Sequence, residues 1–481
     1  MRPLIIVIIL MSLLSCALGP DYKRPAINTP QGWRIEEKDA AALADTKWWT
    51  QFSDPALESL IETALKENND LRLAAARMEE YVGRYWVGRS PLFPQIYASG
   101  SGGRQRISER GATVLPGTIK NPSDFYQAGL SGSWELDIWG RLRRLNEAAR
   151  ADLISSEEGR RSVILTLVTS VANAYVALRD LDKQLEVTER TTKIREESYR
   201  LFGLRFEGGI ISELELSQVK SEYEYALSQV PLIQKQITFQ ENALSVLIGK
   251  NPGPVLRGKT IDELTLPPVP AGLPSDLLER RPDIRQAEQD LIAANARMGA
   301  AKALYFPTIS LTGLFGWQST ELSSLFSGPS QAWSYAGNLL GPVFTGGAIT
   351  GNYMATEARQ QQALIRYQQV IQTAFREVDD ALADQKRTRE QLAAQKQQVD
   401  TLRDYARIAR LRYEEGYTSY IEVLDAERSL FNAELNYTGT QGVLFQALVN
   451  LYKSMGGGWV AEADKMTVPA TGASPTVAEN E

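Results

Sequence analysis

The 481-residue sequence contains no histidine. That removes the side chain most used near neutral pH as general base, proton shuttle and metal ligand. Catalysis would have to rest on carboxylates or lysines. There is a single cysteine, Cys16, so no disulfide can form within the chain. The formal charge is −6, and no block of basic residues offers a nucleic acid its counter-charge. The seven methionines are scattered, with Met78, Met298, Met354 and Met455 far apart, so no soft-metal relay is visible. The acidic pairs Asp379-Asp380 and Glu414-Glu415 lie in long helical stretches. They read as solvated helix faces, not as a carboxylate pair for hydrolysis. No cofactor, no metal and no enzymatic activity are expected.

What is present begins with Cys16. Residues 1–15 run from Arg2 through an apolar stretch, Leu4 to Leu14, to Ser15. A positive start, a short apolar core and a small residue before the cut describe a secretory signal peptide, too short for a permanent membrane span. The segment Leu13 to Cys16, LLSC, resembles a bacterial lipobox, in which the cysteine is acylated and becomes the new N-terminus. Ala17 follows, not aspartate, which in such lipoproteins implies sorting onward to the outer membrane.

The chain is internally repeated. Residues 70–100 overlay 283–313 without a gap, bringing Asp70-Leu71-Arg72 onto Asp283-Ile284-Arg285 and Phe93-Pro94 onto Phe306-Pro307. Farther on, LRFEGG (Leu204 to Gly209) matches LRYEEG (Leu411 to Gly416), and LSVLIG (Leu244 to Gly249) matches LYKSMG (Leu451 to Gly456), both at an offset of 207. The organisation expected is a lipidated extension over 16–54, a first repeat over 55–250, a proline- and glycine-rich linker over 251–274, a second repeat over 275–458, and a disordered tail over 459–481.

Each repeat has the same texture. A helical stretch (about 55–90 and 275–304) ends at the Phe-Pro pair. Two segments with a period near two follow, about 94–106 and 124–138, then 307–318 and 332–345. Such segments suit either a membrane barrel or a soluble β-ribbon. The remainder is long helix. Leu167, Val171, Ala174, Leu178, Leu181 and Leu185 are spaced as a coiled-coil seam, as are Leu216, Val219, Tyr223, Ala226, Val230, Ile233 and Ile237. The second repeat keeps the register with Val423, Ala426, Leu430, Ala433, Tyr437, Thr440 and Leu444. Pro231 should kink the seam or mark a loose turn. From Arg141 to Gly203 a continuous helix would be roughly 90 Å long, more than a globular domain needs.

Each rod reverses in LRFEGGIIS or LRYEEGYTS. Gly208, Gly209 and Gly416 suit a helix C-cap, and Ser212 and Ser419 can cap the next helix. Both turns should lie at one end. Four strands cannot close a barrel, and open edges are not tolerated in lipid. Pooling strands and helices from several chains solves the problem.

Seven motifs now carry a resemblance over nearly the whole mature chain: CALGPDYKRP (Cys16 to Pro25), WWTQFSDPALESLI (Trp48 to Ile61), SPLFPQI (Ser90 to Ile96), SWELDIWGR (Ser133 to Arg141), LPSDLLERRPDIRQAE (Leu273 to Glu288), ALYFPTISL (Ala303 to Leu311) and EVLDAERSLFNAE (Glu422 to Glu434). The sequence resembles the TolC-like outer membrane factors, the lipoprotein channels of tripartite efflux systems. The resemblance implies an α+β fold: a homotrimeric outer-membrane β-barrel, four strands per chain, continued by a periplasmic α-helical coiled-coil tunnel. It implies a periplasmic adaptor and an inner-membrane pump as partners, and no cofactor. It assigns the tip turns to adaptor contact, and a periplasmic gate to Tyr413, Ile421, Asp425 and Arg428. The last three share one helical face at i, i+4, i+7. A ring of Asp425 around an axis would repel itself unless paired; the plain alternative is an exposed i, i+3 ion pair worth a few tenths of a kcal/mol. The first repeat has Gln218 and Ser221 at the positions of Asp425 and Arg428. The second hairpin is therefore expected to move on opening. Two rivals stand beside this reading, a lipid-anchored coiled-coil scaffold without a pore and a duct for secreted protein.

Overall fold

The computed structural model describes residues 17–35, 47–108, 110, 120–270, 274–456 and 458–467. The signal peptide, Cys16 and the segment beyond Thr467 lie outside the described residues. The chain divides into two compact units. One comprises residues 1–26, 78–156 and 287–367, the other 27–77, 157–286 and 368–481.

The helices of the first repeat are α1 (Pro55–Glu67), α2 (Asn69–Arg89), α3 (Arg141–Glu207) and α4 (Glu213–Leu247). Those of the second are α5 (Pro282–Ala303), preceded by one helical turn at Leu277–Arg280, α6 (Ala348–Glu414) and α7 (Tyr420–Ser454), and a short α8 (Val460–Lys465) follows. α3 and α6 are both 67 residues long, α4 and α7 both 35, and α6 and α7 each begin 207 residues after their counterparts. The helical stretch expected over 55–90 is broken at Asn68. Its backbone is extended there, and its side chain accepts from Leu71 N at 2.9 Å, capping α2.

The first unit carries a four-stranded antiparallel sheet in the order β1 (Gln95–Gln105), β2 (Ser123–Leu136), β3 (Thr308–Ser319), β4 (Gln331–Leu340). The register sorts side chains by face. Leu130 pairs with Phe315 and Ala98, Phe315 with Trp333, and Ile309 with Leu339. One face therefore presents Ile96, Leu130, Trp134, Leu311, Phe315, Trp333, Tyr335 and Leu339. The opposite face presents Ser99, Gln127, Ser131, Ser310, Thr312, Ser334 and Asn338. A mainly apolar face against a mainly polar one, which also carries Glu135, Tyr97 and Phe125, is the pattern of a lipid-facing barrel wall around a wet lumen. Among the described residues, the outer edges of β1 and β4 have no strand partner, a state that lipid does not tolerate. At the end where strands pass into helices, Trp139 donates to Pro307 O at 2.7 Å and lies 4.8 Å from the Phe306 ring. Ala148 and Ala151 of α3 pack on Ala293 and Ala296 of α5, small residues that let helices approach closely.

The arm that follows Cys16 is pinned to this end of the same unit. The buried Arg144 donates to Leu18 O and Gly19 O and pairs with Asp21 at 2.6 Å. Leu18 N donates to Trp139 O, and Asn295 donates to Pro20 O. Gly140 has a left-handed φ of 75°, and a Cβ there would stand 2.6 Å from Ala17 Cα.

The second unit holds the large core. The seam residues Leu167, Val171 and Leu178 are buried, as are Val219, Ala226, Ile233 and Ile237, then Val423, Ala426, Ala433 and Leu444. One 18-residue stretch of α3 is apolar enough to cross a bilayer, yet 56% of it is buried inside the chain, so packing accounts for its composition. Pro231 does not mark a loose turn: α4 runs through it, and the residue is exposed, where water can satisfy the carbonyl released by its missing N–H. The tail does not begin at Trp459. That ring is fully buried, 5.3 Å from Trp49 and 6.2 Å from Trp48, and α8 follows with Val460 and Ala463 buried. Burying such a ring is worth roughly 1.5–3 kcal/mol, which outweighs the polar composition beyond it. The buried Asp54 caps α1 through Ala56 N and accepts from Tyr175 OH at 2.6 Å and Lys259 N at 3.1 Å. It thereby ties the inter-repeat linker to α3.

Candidate functional site: the paired helical tips

The two long hairpins turn at one end of the helical unit. Each turn is a Schellman motif. In the first, Gly209 N donates to Phe206 O and Ile210 N to Arg205 O, with Gly209 at φ 72°. In the second, Gly416 N donates to Tyr413 O and Tyr417 N to Arg412 O, with Gly416 at φ 77°. Only these two glycines occupy the left-handed position; Gly208 has an ordinary φ, and Glu415 stands in its place in the second turn. The caps differ. Ser212 forms a full capping box with Glu215, accepting from Glu215 N while its own N–H donates to the Glu215 carboxylate at 2.8 Å. Ser419 makes no side-chain cap bond, so the expected serine cap is absent from the second hairpin.

Behind the turns, both hairpins share an aromatic core. Phe202 lies 4.2 Å from Tyr420, and Tyr413 lies 4.9 Å from Tyr420. Arg205 donates to Tyr413 OH at 2.8 Å and stands over the Phe202 and Tyr413 rings. Burial, reinforced by the Glu427 carboxylate, pushes the Tyr420 hydroxyl above its ordinary pKa.

Of the four gate residues, the structure brings three together and sets one apart. Ile421, Asp425 and Arg428 line a groove of about 540 Å³ between α4 and α7. Gln218 and Ser221, their first-repeat counterparts, line the same groove. Arg428 donates to Asp425 at 2.7 Å, one turn along the same helix, with both side chains about half exposed, 54% and 52%. In the single chain this is a local ion pair of small energy. Tyr413 lies instead in the aromatic core, held by Arg205. Sequence reading missed Arg205, Phe202 and Tyr420; the recurrence of Arg205 as Arg412 in the two LR(F/Y)E turns was the available signal.

Comparison with known proteins places this arrangement. The profile of the family described as outer membrane efflux protein matches residues 60–250 and again 273–457. The chain is similar to the probable efflux pump outer membrane protein TtgC of Pseudomonas putida, 39% identical over 468 residues covering 96% of each chain. It is 36% identical to the cation efflux system protein CusC of Escherichia coli, covering 93% of this chain and 97% of that one. The crystal structure of the open state of the Neisseria gonorrhoeae MtrE outer membrane channel superposes with a TM-score of 0.84 at 32% identity, over 92% of this chain and 99% of that one. Channels of this family are trimeric and work with efflux-pump components, which accounts for the unpaired edges of β1 and β4. The sheet with its apolar face, the long repeated helices and these likenesses agree: the chain belongs to the outer membrane efflux protein family and is the outer-membrane exit channel of an efflux pump, its helices in the periplasm.

Proposed function

We propose that the channel is a passive duct for small organic solutes, acylated at Cys16, engaged at its helical tip by a periplasmic adaptor and an inner-membrane pump, and shut by the second hairpin. The observation that carries the gate is the charge asymmetry of the tip groove. Asp425 and Arg428 stand on α7 where the first repeat has the neutral Gln218 and Ser221 on α4, and all four line one groove. A pair that is weak in one chain gains weight when copies converge on an axis, because like carboxylates brought close repel unless each is paired. Such a ring is held shut by a balance that displacing the helices can release. Tyr413, with Arg205, is the tether between hairpins that this displacement has to break. The turns around Gly208, Gly209, Ser212, Gly416 and Ser419 form the surface offered to the adaptor.

Acylation of Cys16 is supported by its neighbour: Ala17 is pinned against Gly140 where β2 passes into α3, the level at which a barrel wall leaves lipid. Efflux of organic solutes is favoured over metal ions because the sequence has no histidine and its methionines are dispersed. Transport through the duct requires no covalent chemistry of the channel.

Single-channel conductance in a planar bilayer tests the gate, wild type against Asp425→Ala. A small wild-type current that rises several-fold in the variant is expected. Equal, sizeable currents would keep the channel and discard the gate.

A further inference from the structure

Within the first unit the helices that flank the strands pack in strand order. A Cβ at Gly88 of α2 would stand 3.0 Å from Ala149 Cβ of α3. α3 packs on α5 through Ala148, Ala151, Ala293 and Ala296, and Tyr305, just past α5, donates to Thr350 of α6 at 3.2 Å. Among the described residues the far sides of α2 and α6 are bare. Trp86 and Val87 of α2 are 60% and 74% exposed, and Ala355 and Ala358 of α6 are exposed. Trp86 is two residues from Gly88, roughly 200° around the helix, so it stands on the side of α2 away from α3. Arg89 lies over its ring at 5.7 Å and helps fix its plane.

The internal repeat shows what these bare sides match. Ala355 and Ala358 stand 207 residues after Ala148 and Ala151, which are only 2% and 3% exposed. In the overlay of 70–100 on 283–313, Gly83 corresponds to Ala296 and Trp86 to Gly299. The α3–α5 contact therefore has a counterpart, α6 against α2, whose halves flank the two opposite edge strands, β4 and β1. The two contacts carry their bulk on opposite sides. In the first it is on α3: Arg144 is buried, and a Cβ at Gly299 would stand 3.2 Å from its Nε. In the counterpart it is on α2, because Trp86 replaces Gly299 and Gly351 replaces Arg144. No described atom lies within 4 Å of where a Cβ would stand at Gly351 or Gly83. Charge is exchanged in the same way. Arg297 of α5 pairs with Asp152 of α3. The counterpart keeps the arginine as Arg84 but has Arg359 for Asp152, and its acid is Glu80, in the place of Ala293 and paired with Arg84 at 2.5 Å.

We propose that Trp86 of one chain seats on Gly351 of the next, with Gly83 against Ala355 and Glu80 facing Arg359. The partner is a second copy of this chain, and the contact joins two different surfaces, so repeating it closes a ring. It continues the open edges of β4 and β1 into the helices. The exchange of bulk also decides which surfaces meet. Arg144 set against Trp86 would clash, and Gly351 set against Gly299 would leave a void, so first and second repeats must alternate around the ring. The contact rests on the trimeric state of the family and is independent of any gate at Asp425.

The test uses the full-length protein in detergent, with its state of assembly read by light scattering. Gly83→Cys combined with Ala355→Cys should give covalent dimers and trimers with a short bis-maleimide, and neither single variant, each retaining Cys16, should do so. Gly351→Arg crowds Trp86 and should weaken assembly by about tenfold or more. Adding Trp86→Gly to that chain restores the arrangement of Arg144 on Gly299 and should recover most of the loss. A folding defect at Gly351 would not be cured by removing a ring from α2, so the rescue separates contact from misfolding. If Gly351→Arg yields no folded protein, the cysteine pair carries the decision. Trimers whose paired cysteines fail to cross-link overturn the proposal, as does a folded Gly351→Arg chain that Trp86→Gly does not rescue. Wild-type assembly of Gly351→Arg also overturns it, and gives Trp86 to the lipid interface instead.

Discussion

The two hairpins are equal in geometry and unequal in chemistry. Their helices match residue for residue in length, and their turns share the same Schellman bonds and the same left-handed glycine. Yet the first hairpin has the capping box at Ser212 and Glu215 and the uncharged Gln218 and Ser221 at the two matching groove positions, with Glu222 beside them. The second has no serine cap and carries Asp425 and Arg428. Duplication conserved what the tunnel needs, the seam spacing and the turn, because a slip in either would misplace a whole helix. What differs is free of that constraint, and the one-sided opening proposed for the second hairpin would draw on it.

The largest effect should come from erasing the asymmetry. Asp425→Ala should raise single-channel conductance several-fold, whereas Gln218→Ala should leave it near wild type. Installing the charge on the other side, as Gln218→Asp, adds a carboxylate to a groove that already holds Glu222, Glu422 and Asp425, and should also raise conductance. If Gln218→Ala opens the channel as widely as Asp425→Ala, the two hairpins are equivalent and the comparison collapses.

The tether between hairpins comes next. Arg205 donates to Tyr413 OH from a half-buried position. A hydrogen bond from a charged donor contributes about 1.5–3 kcal/mol. Arg205→Met should therefore loosen the second hairpin, read as faster amide exchange around the Gly416 turn. Tyr413→Phe removes the same bond and should loosen the hairpin by a similar amount, about 1.5–3 kcal/mol, and the double variant should cost less than the sum. Strict additivity would show that the two side chains act separately.

Much of this was legible in the sequence. The offset of 207 placed both long helical pairs, because a coiled-coil seam cannot drift without exposing its apolar stripe. The strands were visible because lipid on one face and water on the other impose a period of two. Other features were not legible, since they depend on contacts distant in sequence. Trp459 reads as the start of a polar tail until Trp48 and Trp49 arrive from the other end of the chain. Asn68 looks like any helical asparagine until its side chain caps α2 and reaches Leu247 O. Tyr413 was found by resemblance, but its partner Arg205 lies on another helix, and no spacing rule connects them. Ser419 fails as a cap although Ser212 succeeds: both have glutamate three residues on, but only Glu215 closes the reciprocal bond.

That last difference gives a smaller effect. Ser212→Ala removes a working capping box and should destabilise the start of α4 by about 1 kcal/mol. Ser419→Ala removes no side-chain bond and should be nearly silent. Amide exchange of the first turn of each helix measures both, and equal losses at the two sites would mean that the second cap forms in solution.

The smallest effect is a pH dependence confined to the second hairpin. Tyr420 is buried between Phe202 and Tyr413, and its place in the first hairpin is taken by the exposed Glu213. Burial and the Glu427 carboxylate raise its pKa; a bond from Ser198 and the Arg410 charge oppose this without cancelling it, and Tyr413 adds slightly to the rise. A raised pKa means that the folded state prefers the neutral phenol. Its contribution is therefore complete below the ordinary tyrosine pKa of about 10 and is lost as pH climbs through that value toward the folded one. Amide exchange around the Gly416 turn, corrected for its intrinsic base catalysis, should accelerate above about pH 10, while the Gly209 turn stays level. Tyr420→Phe should flatten the response. A flat wild-type profile would mean that water reaches the phenol and that the aromatic core behind the tip is looser than its ring distances indicate.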